Sequence, residues 1–248
     1  MKTTLITCAT SGMGSAIAQS MSGKLILTGR NQEKLGALSS GLKTPCEAVP
    51  LDFTCDESIK QAAFAISTHE KLDQIVFIIP RIPPSSELFP DNETWQTLYQ
   101  NFFIRPLSLI KYLVENDRLN HGAKIVLISG LSSKSALTNY STNNCLRSAW
   151  LGQAKTMALV LGEKGVSVNT LSLGGVMTES YTNKMHNKAQ QNGVSFDQQI
   201  TQEVSNIPLK KYASVQDVVD AVNALLGPLS NHMTGQNILL DGGFFKGY

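Results

Sequence analysis

Short apolar runs alternate with stretches of helical periodicity along the whole chain. Each apolar run has the length of a strand and is bounded by turn or polar residues, which predicts strands at Lys2–Cys8, Lys24–Thr28, Cys46–Pro50, Asp73–Ile79, Lys124–Ser129, Val166–Leu171 and Asn237–Leu240. Apolar residues three and four positions apart predict helices at 14–21, 31–40, 57–68, 93–115, 141–162 and 215–226. Strands that alternate with helices favour right-handed crossovers, so the pattern predicts one α/β domain with a doubly wound, mainly parallel sheet of seven strands.

Two segments depart from this alternation. Residues 93–115 carry apolar side chains nearly all round the predicted helix, so a second face of it also needs burial. Pro106 lies inside this helix and is expected to kink or interrupt it, because proline has no backbone N–H to donate. Residues 177–206 form a long polar segment.

The first strand runs into a glycine turn. After Cys8, residues 9–11 turn sharply, and Gly12 and Gly14 open the first helix. Such a turn directs backbone N–H groups and the positive end of the helix dipole at one point, where a diphosphate can bind. Glycine suits these positions because a side chain would hold the phosphate away from the backbone.

Composition restricts the classes of function. The 248 residues are 42% hydrophobic and 16% charged, and a net charge of +2 without a basic run gives no reason to expect a nucleic-acid partner. The four cysteines have no metal-ligand spacing, so we expect reduced thiols, no metal site and a cytoplasmic location. The N-terminal apolar run is too short and too rich in threonine for a signal peptide, and no segment has the length of a membrane helix.

Five motifs, in the right order, resemble those of the short-chain dehydrogenase/reductase family. Thr7–Gly14, TCATSGMG, resembles the family's TGxxxGxG turn, and Val168–Thr178, VNTLSLGGVMT, resembles its VNxxxPGxxxT segment. Asp52 stands where the family has an aspartate that contacts adenine, and Asn101 where it has a helical asparagine. Gly235–Gly243, GQNILLDGG, is similar to the family's last strand and DGG.

The resemblance implies a single Rossmann-type domain over residues 1–248, with a nicotinamide cofactor and a substrate lid at 177–206. The cofactor-binding residues that it implies are Thr7, Ser11, Gly12, Met13, Gly14, Arg30, Asp52, Arg147 and Thr178. No acidic residue ends the second strand, and Arg30 there can pair with a 2′-phosphate, so NADP(H) is preferred to NAD(H). Alternatively, Arg30 is a surface residue that caps the next helix. Cys8 replaces the first glycine of the turn, where it either hinders the close approach of a cofactor or packs as a small buried thiol.

Three of the family's four catalytic positions have changed. The resemblance implies a tyrosine, a lysine four residues later, an upstream serine and the helical asparagine. Counting back from Val168 places Arg147 at the lysine and Asn143 at the tyrosine, and counting forward from the fifth strand places Gly130 at the serine. Asn143 has no exchangeable proton of useful pKa, Arg147 stays charged and Gly130 has no hydroxyl. Only Asn101 is kept.

These changes leave two interpretations. In the first, the chain binds NADP(H) but is a non-catalytic or weakly active binding, regulatory or assembly protein, because no group stands ready to protonate an alkoxide. In the second, it is a working NADP(H)-dependent carbonyl reductase that uses Tyr140 as an unorthodox proton donor, with positive charge from Arg147. Three serines stand upstream in this second interpretation, namely Ser129, Ser132 and Ser133.

The expected partners are the nucleotide, an unidentified small molecule and further copies of the chain. Arg81, in the proline-rich loop Phe77–Pro84, either meets an anionic ligand at the mouth of the site or is only a loop charge. Family members commonly pair through the fourth and fifth helices, which here carry surplus apolar surface, so a homodimer or homotetramer is expected. The candidate interface residues are Trp95, Phe102, Phe103, Leu146 and Trp150.

Overall fold

The computed structural model describes residues 1–83 and 85–247, so Pro84 of the proline-rich loop and Tyr248 lie outside the described residues. The strands are β1 (Thr3–Ile6), β2 (Lys24–Gly29), β3 (Cys46–Pro50), β4 (Leu72–Ile78), β5 (Leu119–Gly130), β6 (Ser167–Leu173) and β7 (Asn237–Leu240). The helices are α1 (Gly12–Ser20), α2 (Gln32–Gly41), α3 (Asp56–Ser67), α4 (Asn92–Tyr99), α5 (Arg105–Glu115), α6 (Ser141–Leu161), α7 (Glu179–Asn192), α8 (Phe196–Glu203) and α9 (Val215–Leu226). None of the helices in the described residues is both long and apolar enough to span a lipid bilayer.

The seven strands of the described residues pair in parallel, in the order β3-β2-β1-β4-β5-β6-β7. This confirms the predicted doubly wound parallel sheet. The winding reverses between β1 and β4, because β2 and β3 extend the sheet on one side of β1 and the later strands extend it on the other. In open parallel sheets the ligand crevice lies outside the carboxyl ends of the strands at such a reversal. The glycine turn that follows β1 lies at this crevice.

Helices bury both faces of the sheet. Along β4, Ile75 and Phe77 face a core built with α3, α5 and α6, whereas Val76 and Ile78 face a second core built with α1 and α9. Successive side chains of a strand point to opposite faces, so a strand covered on both sides requires an unbroken apolar run. Residues 75–79 have this property, which explains why the segment predicts a central strand.

Pro106 interrupts the hydrogen-bond ladder of its helix without ending the helix. The N–H of Arg105 donates to the carbonyl of Gln100, five residues back, in a π-helical turn (Gln100–Ile104) between α4 and α5. Pro106 has no N–H for the carbonyl of Phe102, four residues back, and the indole N–H of Trp150 donates to that carbonyl instead, at 2.8 Å. The expected interruption is confirmed, and a side chain of α6 satisfies the carbonyl that it frees.

Two expectations about local structure need correction. Residues 177–206, for which the pattern indicates no helix, form α7 and α8, because Thr178 and Ser195 supply the N-caps. The first helix begins at Gly12 rather than Gly14, since Ser11 caps it. Other boundaries shift by a few residues, as is usual where helix ends fray.

Leu146 and Trp150, expected at a subunit interface, are buried inside the chain. The Trp150 ring packs against Phe77 and Phe103, with ring centroids 5.6 Å and 5.3 Å away. The expectation is therefore wrong for these two residues, because the π-helical turn and its neighbours already cover that face of α6. The exposed apolar side chains on the same helical segments are Ile104, Leu159 and Val160.

Candidate cofactor-binding and active site

The turn after β1 is closed by Ser11 and crowded at Gly14. The Ser11 hydroxyl caps α1 by accepting a hydrogen bond from the Gly14 backbone N–H at 3.0 Å. A Cβ on Gly14 would lie 2.5 Å from the carbonyl oxygen of Cys8, which is closer than real Cβ atoms approach. The turn itself therefore requires glycine at position 14, before any ligand is considered.

The start of α1 offers free donors to an anion. The backbone N–H groups of Gly12 and Met13 have no protein acceptor in the described residues, as is usual for the first turn of a helix. Gly12 is exposed, and a Cβ on it would meet only Thr178, at 3.9 Å. Thr178 caps α7, so the glycine turn and the start of α7 approach each other here. Free backbone N–H groups beside a glycine, which has no side chain to block an approaching anion, fit the diphosphate of a dinucleotide.

Cys8 adopts a backbone conformation that favours glycine. Its φ of 49° lies in the left-handed region, which costs an L-residue with a side chain about 1–2 kcal/mol. The side chain packs against both apolar cores, and burial raises the pKa of the thiol to about 11, with a smaller opposite effect from Arg30. The thiol is therefore protonated and packed inward. Of the two sequence interpretations of Cys8, the structure favours the buried thiol.

Thr7 lies inside the protein and holds the two central strands together. Its hydroxyl donates to the carbonyl of Ile78 at 3.0 Å and accepts from the N–H of the same residue at 2.8 Å. The side chain is fully buried, so it does not reach a ligand. Thr7 belongs to the site as the residue that ties the glycine turn to the end of β4.

Arg30 and Asp52 follow the ends of β2 and β3. Arg30 is exposed and pairs with no carboxylate in the described residues. Asn31 caps α2 through its side-chain oxygen, so the alternative that Arg30 caps this helix is wrong. Asp52 accepts hydrogen bonds from the N–H and the hydroxyl of Thr54, at 2.9 Å and 2.8 Å, which fixes its carboxylate at the strand end.

At the end of β5, the guanidinium of Arg147 occupies the space that a side chain on Gly130 would fill. A Cβ on Gly130 would lie 2.0 Å from Nη1 of Arg147 and 2.4 Å from its Cζ. The same Nη1 donates to the hydroxyl of Ser132 at 3.2 Å. In this conformation the guanidinium therefore occupies the place that a side chain on residue 130 would take. Burial lowers the pKa of Arg147, but a guanidinium remains charged in proteins.

Tyr140 immediately precedes α6, the helix that carries Arg147, and is half-buried. Burial lowers the pKa of Arg147, and a smaller opposite effect from Tyr140 indicates that the phenol lies within electrostatic range of the guanidinium. No hydrogen bond in the described residues joins the two side chains.

Comparison with known proteins places these residues in a family. A family model described as enoyl-(acyl carrier protein) reductase matches residues 8–245. The chain belongs to the short-chain dehydrogenase/reductase family. The resemblance seen in the sequence is therefore confirmed. The site described above lies on the family's dinucleotide-binding fold.

Relatives match this family member over nearly its whole length. The 3-oxoacyl-(acyl-carrier-protein) reductase FabG of Rickettsia bellii is 26% identical over 98% of this chain and 96% of its own. The NADPH-dependent reductase BacG of Bacillus subtilis is 22% identical over 99% of this chain and 98% of its own. The L-sorbose reductase of Gluconobacter frateurii, solved with NADPH and L-sorbose, has a TM-score of 0.90 at 20% identity and covers 100% of this chain and 97% of its own.

Asn143, which the motif count assigns to the family's tyrosine, holds a loop in place. Its buried amide group donates to the carbonyl of Pro83 at 3.0 Å. The hydroxyl of Ser141 donates to the carbonyl of Glu87, in the same β4–α4 loop. Asn144 makes two further hydrogen bonds to the backbone of the loop that precedes α6. The start of α6 therefore fixes the loops on either side of the site.

Asn101, at the position of the family's asparagine, lies on the π-helical turn. Its side-chain oxygen accepts a hydrogen bond from Arg105 at 2.6 Å, and Arg105 in turn pairs with Asp56 at the start of α3. No hydrogen bond in the described residues links Asn101 to Arg147 or Tyr140. The structure thus brings Gly130 and Arg147 together and engages Asn101 elsewhere.

A buried polar network, which the sequence analysis missed, supports Ser132 from below. The hydroxyls of Ser133 and Ser172 lie 2.7 Å apart, and Ser172 donates to the side-chain oxygen of Asn237 at 2.6 Å. This network anchors the turn at 131–133, whose Ser132 contacts Arg147. The sequence signal for this network was the presence of polar residues in the buried strand β6 and at the start of β7.

Helices α7 and α8 are anchored by Tyr212, which the sequence analysis also missed. A Cβ on Gly175 would lie 2.2 Å from the Tyr212 ring, so the ring occupies the space left by the glycine. The ring meets Tyr181 of α7 edge to face at 5.4 Å, and the hydroxyl lies 3.4 Å from Glu203 of α8. Burial and these neighbours raise the pKa of Tyr212 well above its usual range, so the phenol stays protonated. The paired glycines at 174–175 were the signal for this close packing.

Gly14→Ala tests the crowded turn. The added methyl group would press on backbone atoms of Cys8, so we expect the free energy of unfolding to fall by about 1–3 kcal/mol. The matched control is Gly36→Ala on α2, where a Cβ meets nothing within 4 Å. In the control, helix propensity should raise stability by about 0.5–1 kcal/mol. Urea unfolding measures both, and equal effects of the two substitutions would contradict the contact.

Proposed function

We propose that the chain is an NADP(H)-dependent oxidoreductase that reduces a carbonyl compound, with Tyr140 as proton donor and Arg147 as the electrostatic partner of the reacting oxygen. The observation that carries this proposal is the guanidinium of Arg147 packed on Gly130 at the end of β5, on the helix that Tyr140 immediately precedes. The names of FabG, BacG and the L-sorbose reductase support the reaction class, since all three are reductases.

The residues present fit the dinucleotide. The free N–H groups of Gly12 and Met13 would hold its diphosphate, and Asp52 would meet the adenine. Arg30, exposed and without a carboxylate partner in the described residues, would pair with a 2′-phosphate. BacG is named as NADPH-dependent and the L-sorbose reductase was solved with NADPH, which supports the same choice of cofactor.

The chemistry then divides between the cofactor and two side chains. When bound, NADPH supplies a hydride to the carbonyl carbon. The guanidinium of Arg147 stabilises the negative charge that develops on the oxygen, because its N–H groups are charged donors in a half-buried place. Tyr140 gives its phenolic proton to that oxygen, and solvent returns a proton to Tyr140. Ser132 holds the guanidinium by accepting one of its N–H groups.

A second candidate function is NADP(H) binding without turnover. It is favoured by Asn143, which the motif count assigns to the family's tyrosine position. The amide group of Asn143 donates a hydrogen bond to the carbonyl of Pro83 and is not free for a substrate. In this case the chain would act as a nucleotide-dependent binding or regulatory subunit. NADPH binding combined with no oxidation of NADPH by any aldehyde, ketone or quinone would favour this candidate over the first.

Tyr140→Phe tests the proton donor. We expect kcat for NADPH oxidation by a carbonyl substrate to fall about 10²–10⁴-fold, the usual effect of losing a general acid. The dissociation constant of NADPH, measured by fluorescence titration, should stay within experimental error. Tyr112→Phe on α5 is the matched control and should leave kcat unchanged. Undiminished kcat in the Tyr140→Phe protein would refute the assignment.

Arg30→Ala tests the choice of cofactor. Losing a charge-assisted contact with the 2′-phosphate should weaken NADPH binding by about 10–100-fold and leave NADH binding nearly unchanged. The control is Lys111→Ala, which removes an exposed cation from α5. Calorimetric titration of both nucleotides measures the effect. A preference for NADPH that survives in the Arg30→Ala protein would assign the phosphate to another group.

We further infer a homodimer or homotetramer that pairs through the helical segments at 92–115 and 141–161. Ile104 is 51% exposed and Leu159 71% exposed, one on each segment.

The double variant Ile104→Arg, Leu159→Arg should turn the assembly into a monomer, because two charges would be buried without partners. Phe64→Arg, at an exposed position on α3, is the control. Light scattering at micromolar concentration measures the mass, and a monomeric unaltered protein would disprove the inference.

A further inference from the structure

The chain after β7 folds back on itself through a turn built on Asp241. The Oδ1 atom of Asp241 accepts a hydrogen bond from the N–H of Gly243 at 2.8 Å, and its Oδ2 atom accepts one from the N–H of Phe245 at 2.9 Å. Gly242 and Gly243 have φ angles of 65° and 86°, in the left-handed region that glycine adopts without strain. The carboxylate therefore fixes the path of residues 241–247, which we call the strap.

The first residues of the strap are held against the rest of the domain. The N–H of Leu209, after α8, donates to the carbonyl of Gly242 at 3.1 Å. A Cβ on Gly242 would lie 2.7 Å from Cγ2 of Ile207. A Cβ on Gly174, which follows β6, would lie 2.9 Å from Cα of Asp241. These contacts leave no room for a side chain at either glycine, so the start of the strap has a fixed position.

The other end of the strap reaches the loop between β5 and α6. The ring of Phe245 is half-buried, and Nζ of Lys134 lies 5.2 Å from its centroid. An ammonium group at this distance is attracted by the electron-rich face of an aromatic ring. A Cβ on Gly247 would lie 2.4 Å from the ring, so the backbone of the strap lies directly against it. The strap thus presents an aromatic ring to a lysine of the β5–α6 loop.

Lys134 closes the turn that carries Ser132. The N–H of Lys134 donates to the carbonyl of Leu131 at 3.0 Å. Ser132, inside this turn and 2% exposed, accepts a hydrogen bond from Nη1 of Arg147 at 3.2 Å. A continuous series of contacts therefore starts at the ring of Phe245, passes through the turn and ends at the guanidinium of Arg147.

We propose that the strap positions the guanidinium of Arg147, with Phe245 as the positioning residue that holds the turn at 131–134 through Lys134. The buried serine–asparagine network supports the same turn from within the domain. This inference rests on the proposed function, in which Arg147 stabilises the charge on the reacting oxygen. The strap follows β7, an edge strand, whereas the diphosphate and the 2′-phosphate would bind after β1 and β2. Loss of the strap contact should therefore lower turnover and leave the affinity for NADPH unchanged.

Hydrogen exchange measures how firmly the strap holds the turn. The N–H of Ser135 also donates to the carbonyl of Leu131, at 3.0 Å. In Phe245→Ala its protection factor should fall about 2–5-fold, the usual effect of losing a cation–π contact at a partly exposed site. Phe245→Trp keeps an aromatic face and should restore the protection, whereas Phe245→Leu keeps only apolar bulk and should not. Lys134→Gln should have the same effect as Phe245→Ala, and the double variant no more than either one. Phe64→Ala, at an exposed phenylalanine of α3, is the matched control and should change nothing.

Two further measurements connect the strap to Arg147. The NMR resonance of the Arg147 side-chain Nε–H should shift in Phe245→Ala and return in Phe245→Trp. For NADPH oxidation by a carbonyl substrate, kcat should fall about 3–10-fold in Phe245→Ala, less than the roughly 10²-fold that a displacement of about 1 Å can cause. The dissociation constant of NADPH should stay within experimental error.

The outcomes separate this inference from the proposed function. Unchanged protection of Ser135 in Phe245→Ala would overturn the inference, as would full restoration by Phe245→Leu or additive effects in the double variant. An unshifted Arg147 resonance, or an unchanged kcat beside a loosened turn, would also overturn it and leave the reductase standing. If the unaltered protein reduces no carbonyl compound, the proposed function fails, and a shifted Arg147 resonance with loss of protection would still support the strap.

Discussion

The close approach of Gly14 to the carbonyl oxygen of Cys8 is the contact on which the cofactor side of the molecule depends. It forces the chain to leave β1 and enter α1 without space for a side chain, and it places Cys8 in a left-handed conformation. Thr7 then fixes the same turn to β4 through two hydrogen bonds to Ile78. Because these are backbone constraints, the free N–H groups of the helix start are positioned before any ligand arrives.

On the other side of the crevice, the guanidinium of Arg147 lies in the space beside Gly130, where an added Cβ would be 2.0 Å from its Nη1. The Ser133–Ser172–Asn237 network supports the turn that holds Ser132 against the arginine. A polar network in which every group has a hydrogen-bond partner rigidifies a site. Here the network holds the turn that carries Ser132, and Ser132 in turn holds the charged guanidinium of Arg147.

The sequence could predict those features that depend on neighbours along the chain. Unbroken apolar runs such as residues 75–79 indicate strands buried on both faces, and the glycines of the first turn indicate the phosphate seat. Features that depend on residues distant in sequence could not be predicted from the sequence. The bond from Trp150 to the carbonyl that Pro106 leaves free explains why Trp150 is buried rather than at an interface, and it joins residues 48 positions apart. The packing of Tyr212 over Gly175 and the hydrogen bond from Asn143 to Pro83 likewise join residues that are distant in sequence.

The bond between Asn143 and Pro83 also limits which side chains position 143 can accept. Asn143 is 2% exposed, so a tyrosine there would have to displace the β4–α4 loop and would remove the donor that holds it. A serine at Gly130 would meet the guanidinium of Arg147 at once. Both positions are therefore constrained by their neighbours, residue 143 by the loop that it holds and residue 130 by the guanidinium packed against it.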